Sequence, residues 1–320
     1  MPRAVGWDPQ HLPDLTGLSY IITGSNAGLG YFASEQLVRA GARVIMTGRN
    51  PNRLAAARAA IHRRSPDAAS AQVETLLLDT SNLGSVRAAA ASARMGGGLD
   101  GVLLNAGIVH PPKRRETTGD GHEVVFATNV LGHFALAGEL LTTLAAARGR
   151  MVWVGSMSTA LTPYDPVDPE LTTGYSGWRA YVQSKVATTA LGFEADRRLR
   201  DAGVAVTSVV AHPGYSVSGR TPGVVGVNAP TKLTRFTDNL QAPITQSKEH
   251  GAWSLVRALV DPSIEGGEFW GPRAGPWGEP RRSTAAKITR DPEVAARLWR
   301  ACEDATGVRW PIEKAARVRR

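Results

Sequence analysis

The chain has 320 residues, 42% of them hydrophobic, with 37 Lys and Arg against 28 Asp and Glu and a formal net charge of +9. That length can bury a large single core; 34 Gly and 20 Pro fall short of a low-complexity share, and a lone cysteine, Cys302, excludes an internal disulfide. No run approaches the roughly 18 consecutive apolar residues of a membrane helix, and Met1 to Gly17, with Asp8, His11 and Asp14, lacks the apolar stretch of a signal peptide. A cytoplasmic protein with no membrane span is expected.

The basic excess is local. Arg281 to Arg320 holds 11 basic and 5 acidic residues, a surplus of 6 that leaves +3 for the other 280 residues. A polyanion partner would have to use that tail. Val294, Leu298 and Trp299 instead give it a helix with an apolar face to bury, so no nucleic acid is expected.

From residue 18 short apolar runs alternate with longer helical patterns, the signature of βαβ units and a parallel sheet. Strands are predicted at Leu18 to Thr23, Arg43 to Thr47, Val73 to Leu78, Val102 to Leu104, Met151 to Val154 and Val204 to Val210, with a short seventh at Glu268 to Trp270. Helices are predicted after the first strand, where Leu29, Phe32, Ala33, Gln36 and Leu37 have helical spacing, and at 53–63, 83–94, 124–147 and 179–202. The fold class is α/β, a single Rossmann-type doubly wound parallel sheet of about seven strands with helices on both faces. The expected organisation is an N-terminal extension at 1–17, a catalytic domain at 18–280, and a C-terminal extension at 281–320, partly helical and packed on the domain. Two irregular stretches, 161–178 and 215–246, are long enough to be functional loops, the second a substrate lid.

Thr23-Gly24-Ser25-Asn26-Ala27-Gly28-Leu29-Gly30 joins a strand to a helix. Its glycines allow a tight turn and let backbone amides approach a pyrophosphate at the helix N-terminus. The second strand ends Thr47-Gly48-Arg49, where an acidic residue would suit the ribose of NAD and an arginine suits the 2′-phosphate of NADP. Asp79 and Thr80 follow the third strand and Asn105-Ala106-Gly107 the fourth, on the edge where open α/β sheets bind ligands. Each of these is also an ordinary cap or turn residue. Tyr181 and Lys185 are four apart on one helical face, and an adjacent ammonium would stabilise a phenolate. Tyr175 and Arg179 share that spacing, but only the later pair sits in Tyr-Val-Gln-Ser-Lys. His133 reads as a packed histidine, and His110 and His122 lack metal-ligand spacing, so no metal site is expected.

In this order the motifs resemble the short-chain dehydrogenase/reductases over about Leu18 to Val308. Asp120-Gly121-His122-Glu123, Asn129-Val130-Leu131-Gly132-His133-Phe134 and His212-Pro213-Gly214 are similar to the retinol dehydrogenase-like branch, which includes the WW-domain-containing oxidoreductase. The resemblance implies Tyr181 as general acid/base and Lys185 on the nicotinamide ribose. It implies Ser156, with Ser158 as rival, on the substrate oxygen, and Asn129 holding a water in a proton relay. It also implies cofactor contacts from Gly24, Ser25, Asn26, Gly28, Leu29, Gly30, Arg49, Asp79, Thr80, Asn105, Ala106, Gly107, Tyr181, Lys185, Pro213 and Gly214. Ser218 stands where the family usually has a cofactor-contacting threonine.

The expected activity is an NADP(H)-dependent oxidoreductase, with NAD(H) as second cofactor, acting on a carbonyl or alcohol of a lipophilic small molecule. The alternative is a catalytically silent NAD(P)-binding regulator or scaffold of the same fold. Homo-oligomerisation stays open. Leu161, Tyr164 and Trp178 are candidates either for an apolar wall near the site or for the core.

Overall fold

The computed structural model describes residues 7–66, 73–160 and 162–318. In chain order the elements are β1 (Ser19–Ile22), α1 (Gly28–Arg39), β2 (Arg43–Gly48), α2 (Pro51–Arg64), β3 (Val73–Leu77), α3 (Leu83–Met95) and β4 (Gly101–Leu104). There follow α4 (Val124–Phe126), a π-helical turn at Ala127–Leu131, α5 (Gly132–Ala147), β5 (Arg150–Val154), α6 (Gly177–Asp201) and β6 (Thr207–Ala211). The last third holds β7 (Ser216–Val217), α7 (Lys232–Leu240), β8 (Gln246–Ser247), α8 (Lys248–Val260), β9 (Phe269–Pro272), β10 (Pro280–Arg282), α9 (Pro292–Thr306) and α10 (Ile312–Ala316).

The main sheet runs β10-β9-β6-β5-β4-β1-β2-β3 and is parallel throughout except where β10 pairs antiparallel with β9. It has eight strands rather than about seven. The extra one, Pro-Arg-Arg, sits at an edge, where proline can be tolerated and no hydrophobic alternation is needed, so it left no strand pattern to read. Chain order reverses between β1 and β4, whose registers pair Ile21 with Val102. A ligand crevice is expected outside the carboxyl ends at that switch point.

Strand residues alternate between two cores, as a period of two requires. Ile21, Ile45, Val102 and Leu104 face the side covered by α3, α5, α6 and α9, while Tyr20, Ile22, Val44 and Leu103 face α1, α2 and α8. Gly192 on α6 lets that helix lie close to the sheet, since an added Cβ would sit 2.6 Å from Val210 Cγ2 and 3.0 Å from Trp153 Cδ1.

The C-terminal segment closes the first face. Trp299 meets Phe134 edge-on at 5.0 Å between centroids, and Trp310 donates its indole N–H to the Phe134 carbonyl at 3.1 Å. Val124–Ala147 is the stretch among the described residues that is long and apolar enough to cross a membrane, and 83% of its apolar window is buried within the protein. Burial of Leu298, Trp299 and Cys302 on α9 gives that segment a packing role that its charge alone does not suggest.

Candidate active site

The glycine turn is fixed by neighbours that leave no room for side chains. Gly24 has φ +66° and an added Cβ would stand 2.9 Å from Ala106 Cα; at Gly30 it would stand 2.6 Å from Asn105 Nδ2. Asn105 Nδ2 donates to the Thr23 carbonyl at 2.7 Å, tying β4 to the turn. Ser25 is buried and locks the turn to β2, donating from N to the Thr47 carbonyl at 2.9 Å and accepting from Thr47 N at 2.8 Å. Asn26 lies over Gly48, where a Cβ would approach its Oδ1 to 2.9 Å. Ala27 caps α1 with no side-chain hydrogen bond, so the first-turn amides of Gly28, Leu29 and Gly30 have no side-chain acceptor there. Open amides at the positive end of a helix fit a pyrophosphate.

The other expected contact residues line the same edge. Arg49 is exposed immediately after β2. Asp79 folds back on its own loop, accepting from Ser81 N at 2.9 Å and Ser81 Oγ at 2.6 Å. Thr80 is buried against Gly132, and Gly107 lies beside Asn129 Oδ1. Beyond β6, Pro213 accepts from Ser216 Oγ at 2.9 Å and Gly214 adopts φ +66° under Pro276. Ser218 Oγ accepts from Lys248 Nζ at 2.6 Å, a partner the sequence reading did not name.

Of the four residues with implied chemical roles, Tyr181 and Ser156 meet directly. Tyr181 on α6 donates to Ser156 Oγ at 3.4 Å, and Ser158 reaches that oxygen from N at 3.1 Å and from Oγ at 2.9 Å. Ser156 lies just past β5, and Ser158 is buried behind it. Asn129 lies in the π turn, a local geometry often found at functional sites. Its Oδ1 accepts from Ile108 N at 2.8 Å and its Nδ2 donates to Ser184 Oγ at 2.9 Å, one residue before Lys185.

Lys185 departs from expectation. Its Nζ is buried and donates to the Val154 carbonyl at 2.8 Å, and burial pushes its pKa down to about 8. Burial also raises the Tyr181 phenol, with the Ser156 hydrogen bond opposing it. In this arrangement the ammonium is held by the Val154 carbonyl and makes no hydrogen bond with the tyrosine. Spacing on a helix fixes which face two side chains share, not where a long flexible one ends.

His133 takes part in the scaffold as well as the core. Its Nδ1 meets the Asn129 carbonyl at 3.1 Å and its Nε2 meets Thr23 Oγ1 at 2.9 Å, and burial drives its pKa down to about 3. A neutral ring facing a carbonyl at Nδ1 must carry its proton there. Thr23 therefore donates to Nε2 and accepts from Asn105 N and Ala106 N at 2.7 and 2.8 Å. The only forward signal was the four-residue spacing of Asn129 and His133.

The rival pair does not form: Tyr175 OH donates to the Pro112 carbonyl and Arg179 Nη1 to the Gly174 carbonyl. Of the three large apolar candidates, Trp178 is 53% exposed with its ring 6.1 Å from that of Tyr181, and Tyr164 packs against the main core. Leu161 lies outside the described residues.

The family model of short chain dehydrogenases matches residues 19–221. A short-chain dehydrogenase/reductase of Aspergillus calidoustus, drtF, is 30% identical over 315 residues, covering 92% of this chain and 96% of the relative. The polyprenol dehydrogenase of Mus musculus is 33% identical, covering 91% and 84%. Among solved structures, an uncharacterized protein from Mycobacterium paratuberculosis superposes with a TM-score of 0.77 at 33% identity, covering 96% of this chain and 99% of that one.

Proposed function

Since the chain belongs to the short chain dehydrogenase family, as an NAD(P)-dependent oxidoreductase of its retinol dehydrogenase-like branch, we propose that it uses NADP(H) to interconvert a carbonyl and an alcohol on a lipophilic small molecule. The observation that carries this reading is the convergence of Tyr181 and Ser158 on Ser156 Oγ. With that oxygen occupied as an acceptor, the Ser156 proton finds no acceptor among the described residues and is free for a substrate oxygen.

The dinucleotide would rest on the glycine turn, on Asn105, Ala106 and Gly107, and on Pro213 and Gly214, and it supplies or accepts the hydride. Arg49 would hold the 2′-phosphate: it offers a planar donor fork and carries no ion pair with a described carboxylate. Ser156 donates to the substrate oxygen and Tyr181 passes or takes its proton, stabilising charge that develops there. Lys185 swings from the Val154 carbonyl toward the tyrosine and the ribose. Asn129 is held by Ile108 and Ser184, one residue before Lys185.

Two features support a lipophilic substrate. Trp178 stands exposed beside Tyr181. Helix α7 turns its polar side inward, where Asp238 Oδ2 accepts from Gly219 N and Arg235 Nη1 donates to the Gly219 carbonyl, and leaves Leu233, Phe236 and Leu240 about two-thirds exposed. The similarity to a polyprenol dehydrogenase agrees with a long apolar alcohol. The test is a panel of carbonyls and alcohols of graded chain length with both cofactors, followed by absorbance of the reduced nicotinamide, in wild type and Tyr181→Phe. No turnover by wild type, or turnover unchanged by the substitution, would sink the reading and favour a silent dinucleotide-binding protein.

A further inference from the structure

Lys248 occupies an electrostatically unfavourable position. It is the first residue of α8, capped by Ser247, whose Oγ accepts from His250 N. Its side chain crosses to the glycine turn: an added Cβ at Gly28 would lie 3.7 Å from Lys248 Cδ and 3.9 Å from Nζ. Gly28 is itself the first residue of α1. The residue that begins α8 therefore sends its ammonium to the positive end of α1, where a cation is disfavoured.

No ion pair among the described residues compensates for this. Lys248 is half-buried, and burial holds its ammonium below the ordinary lysine range. Among the described residues no carboxylate lies within ion-pair distance of it, and its hydrogen-bond partner is the neutral Ser218 hydroxyl at 2.6 Å. Asp238, whose charge favours the ammonium, is outside ion-pair distance and engaged with Gly219 N. A half-buried cation beside the N-terminus of α1 is stabilised most simply by an anion between it and the α1 amides.

We infer that Lys248, positioned by Ser218, is a cofactor-holding residue that takes an oxygen of the dinucleotide pyrophosphate from the side opposite the α1 amides. The inference rests on the reading of the glycine turn as the dinucleotide site. It also gives Ser218 a role its spacing did not indicate, as the hydroxyl that aims the lysine. A charge-assisted hydrogen bond to phosphate is strong and loses strength when the donor is neutral.

The test is binding rather than turnover. NADPH, ADP-ribose and 2′-AMP are titrated calorimetrically into wild type, Lys248→Met and Lys248→Arg, with thermal melting of each cofactor-free protein. Lys248→Met is expected to weaken NADPH and ADP-ribose by about 10-fold to 100-fold, leave 2′-AMP unchanged, and leave cofactor-free melting equal or higher. Lys248→Arg should recover part of the affinity, and the slope of log affinity against log salt should be shallower in the Met variant. Wild type that binds none of the three would overturn the dinucleotide site and the inference with it. Wild type that binds ADP-ribose no more tightly than Lys248→Met would overturn the role of Lys248 alone. A loss confined to 2′-AMP, or a loss that tracks lower cofactor-free melting in both variants, would do the same.

Discussion

The Tyr181 hydroxyl reaches Ser156 Oγ across 3.4 Å, and Ser158 reaches the same oxygen from behind at 2.9 Å. The ranking of the two serines follows. Ser156 has a proton to give outward, whereas Ser158 spends its proton inward. Tyr181→Phe should lower kcat by about 10²- to 10⁴-fold, and Ser156→Ala by about 10²- to 10³-fold. Ser158→Ala, which removes only a support, should cost about tenfold. Steady-state kinetics on one substrate checks all three, and equal losses at Ser156 and Ser158 would reject the ordering.

His133 links the turn to the π segment while staying neutral. Its folded pKa, about 3, is below the ordinary value of 6.5, and burial likewise brings His212 to about 4. The unfolded chain thus binds protons that the folded one refuses as pH falls below 6.5. Stability from this source is complete above pH 6.5 and declines from there towards pH 3. Melting temperature against pH should show that acid limb, and His133→Phe should flatten it. The same substitution removes the closer acceptor of Thr23 Oγ1, leaving it the Leu103 carbonyl at 3.3 Å, and should lower stability by about 1 kcal/mol at neutral pH.

Arg49 should decide between cofactors. Arg49→Ala is expected to weaken NADPH by about 10-fold to 100-fold and to leave NADH within about twofold, since only the former has a phosphate for the guanidinium. Fluorescence titration of both nucleotides measures this. Equal wild-type affinities would remove the preference.

The glycine turn offers a separation of binding from folding. Gly30→Ala places a Cβ 2.6 Å from Asn105 Nδ2, so Asn105 must give up its hold on the turn. Nucleotide affinity should fall by at least about tenfold, with far-ultraviolet circular dichroism unchanged. Wild-type affinity would show that the turn yields more easily than its packing implies.

Trp310 tests the C-terminal segment. It is buried against Phe134, Trp153 and Trp299 and donates its N–H to a carbonyl. Trp310→Ala should destabilise the protein by about 3–5 kcal/mol, measured by urea unfolding. A loss below about 1 kcal/mol would mean that the segment is peripheral to the fold.

Much of this was legible in the sequence because it is written locally. Gly24, Gly28 and Gly30 mark a turn that rejects side chains, and Tyr181 and Lys185 mark a helical face, so both could be located without tertiary information. The sheet followed from apolar runs such as Val102 to Leu104. What could not be read depends on contacts between distant segments. The π turn around Asn129 differs from an α-helix by one hydrogen-bond register and has no compositional sign. The end point of Lys185 Nζ is set by a carbonyl 31 residues away. Lys248 reaches Ser218 across a separation of 30 residues, and β10 is three polar-edged residues that pair only because β9 offers a free side.

Helix α7 carries its apolar row in water, the reverse of a surface helix that belongs to a core. Such a row is a colloidal liability, because exposed patches of this kind promote self-association. On the proposed reading of a lipophilic substrate, catalysis and shelf life are set against each other in one nine-residue segment. Serine at Leu233 and Phe236 should raise the concentration the protein tolerates before precipitating, and should raise KM for the longest substrates while leaving the shortest untouched. A preparation selected for good behaviour in the tube would drift toward the poorer enzyme.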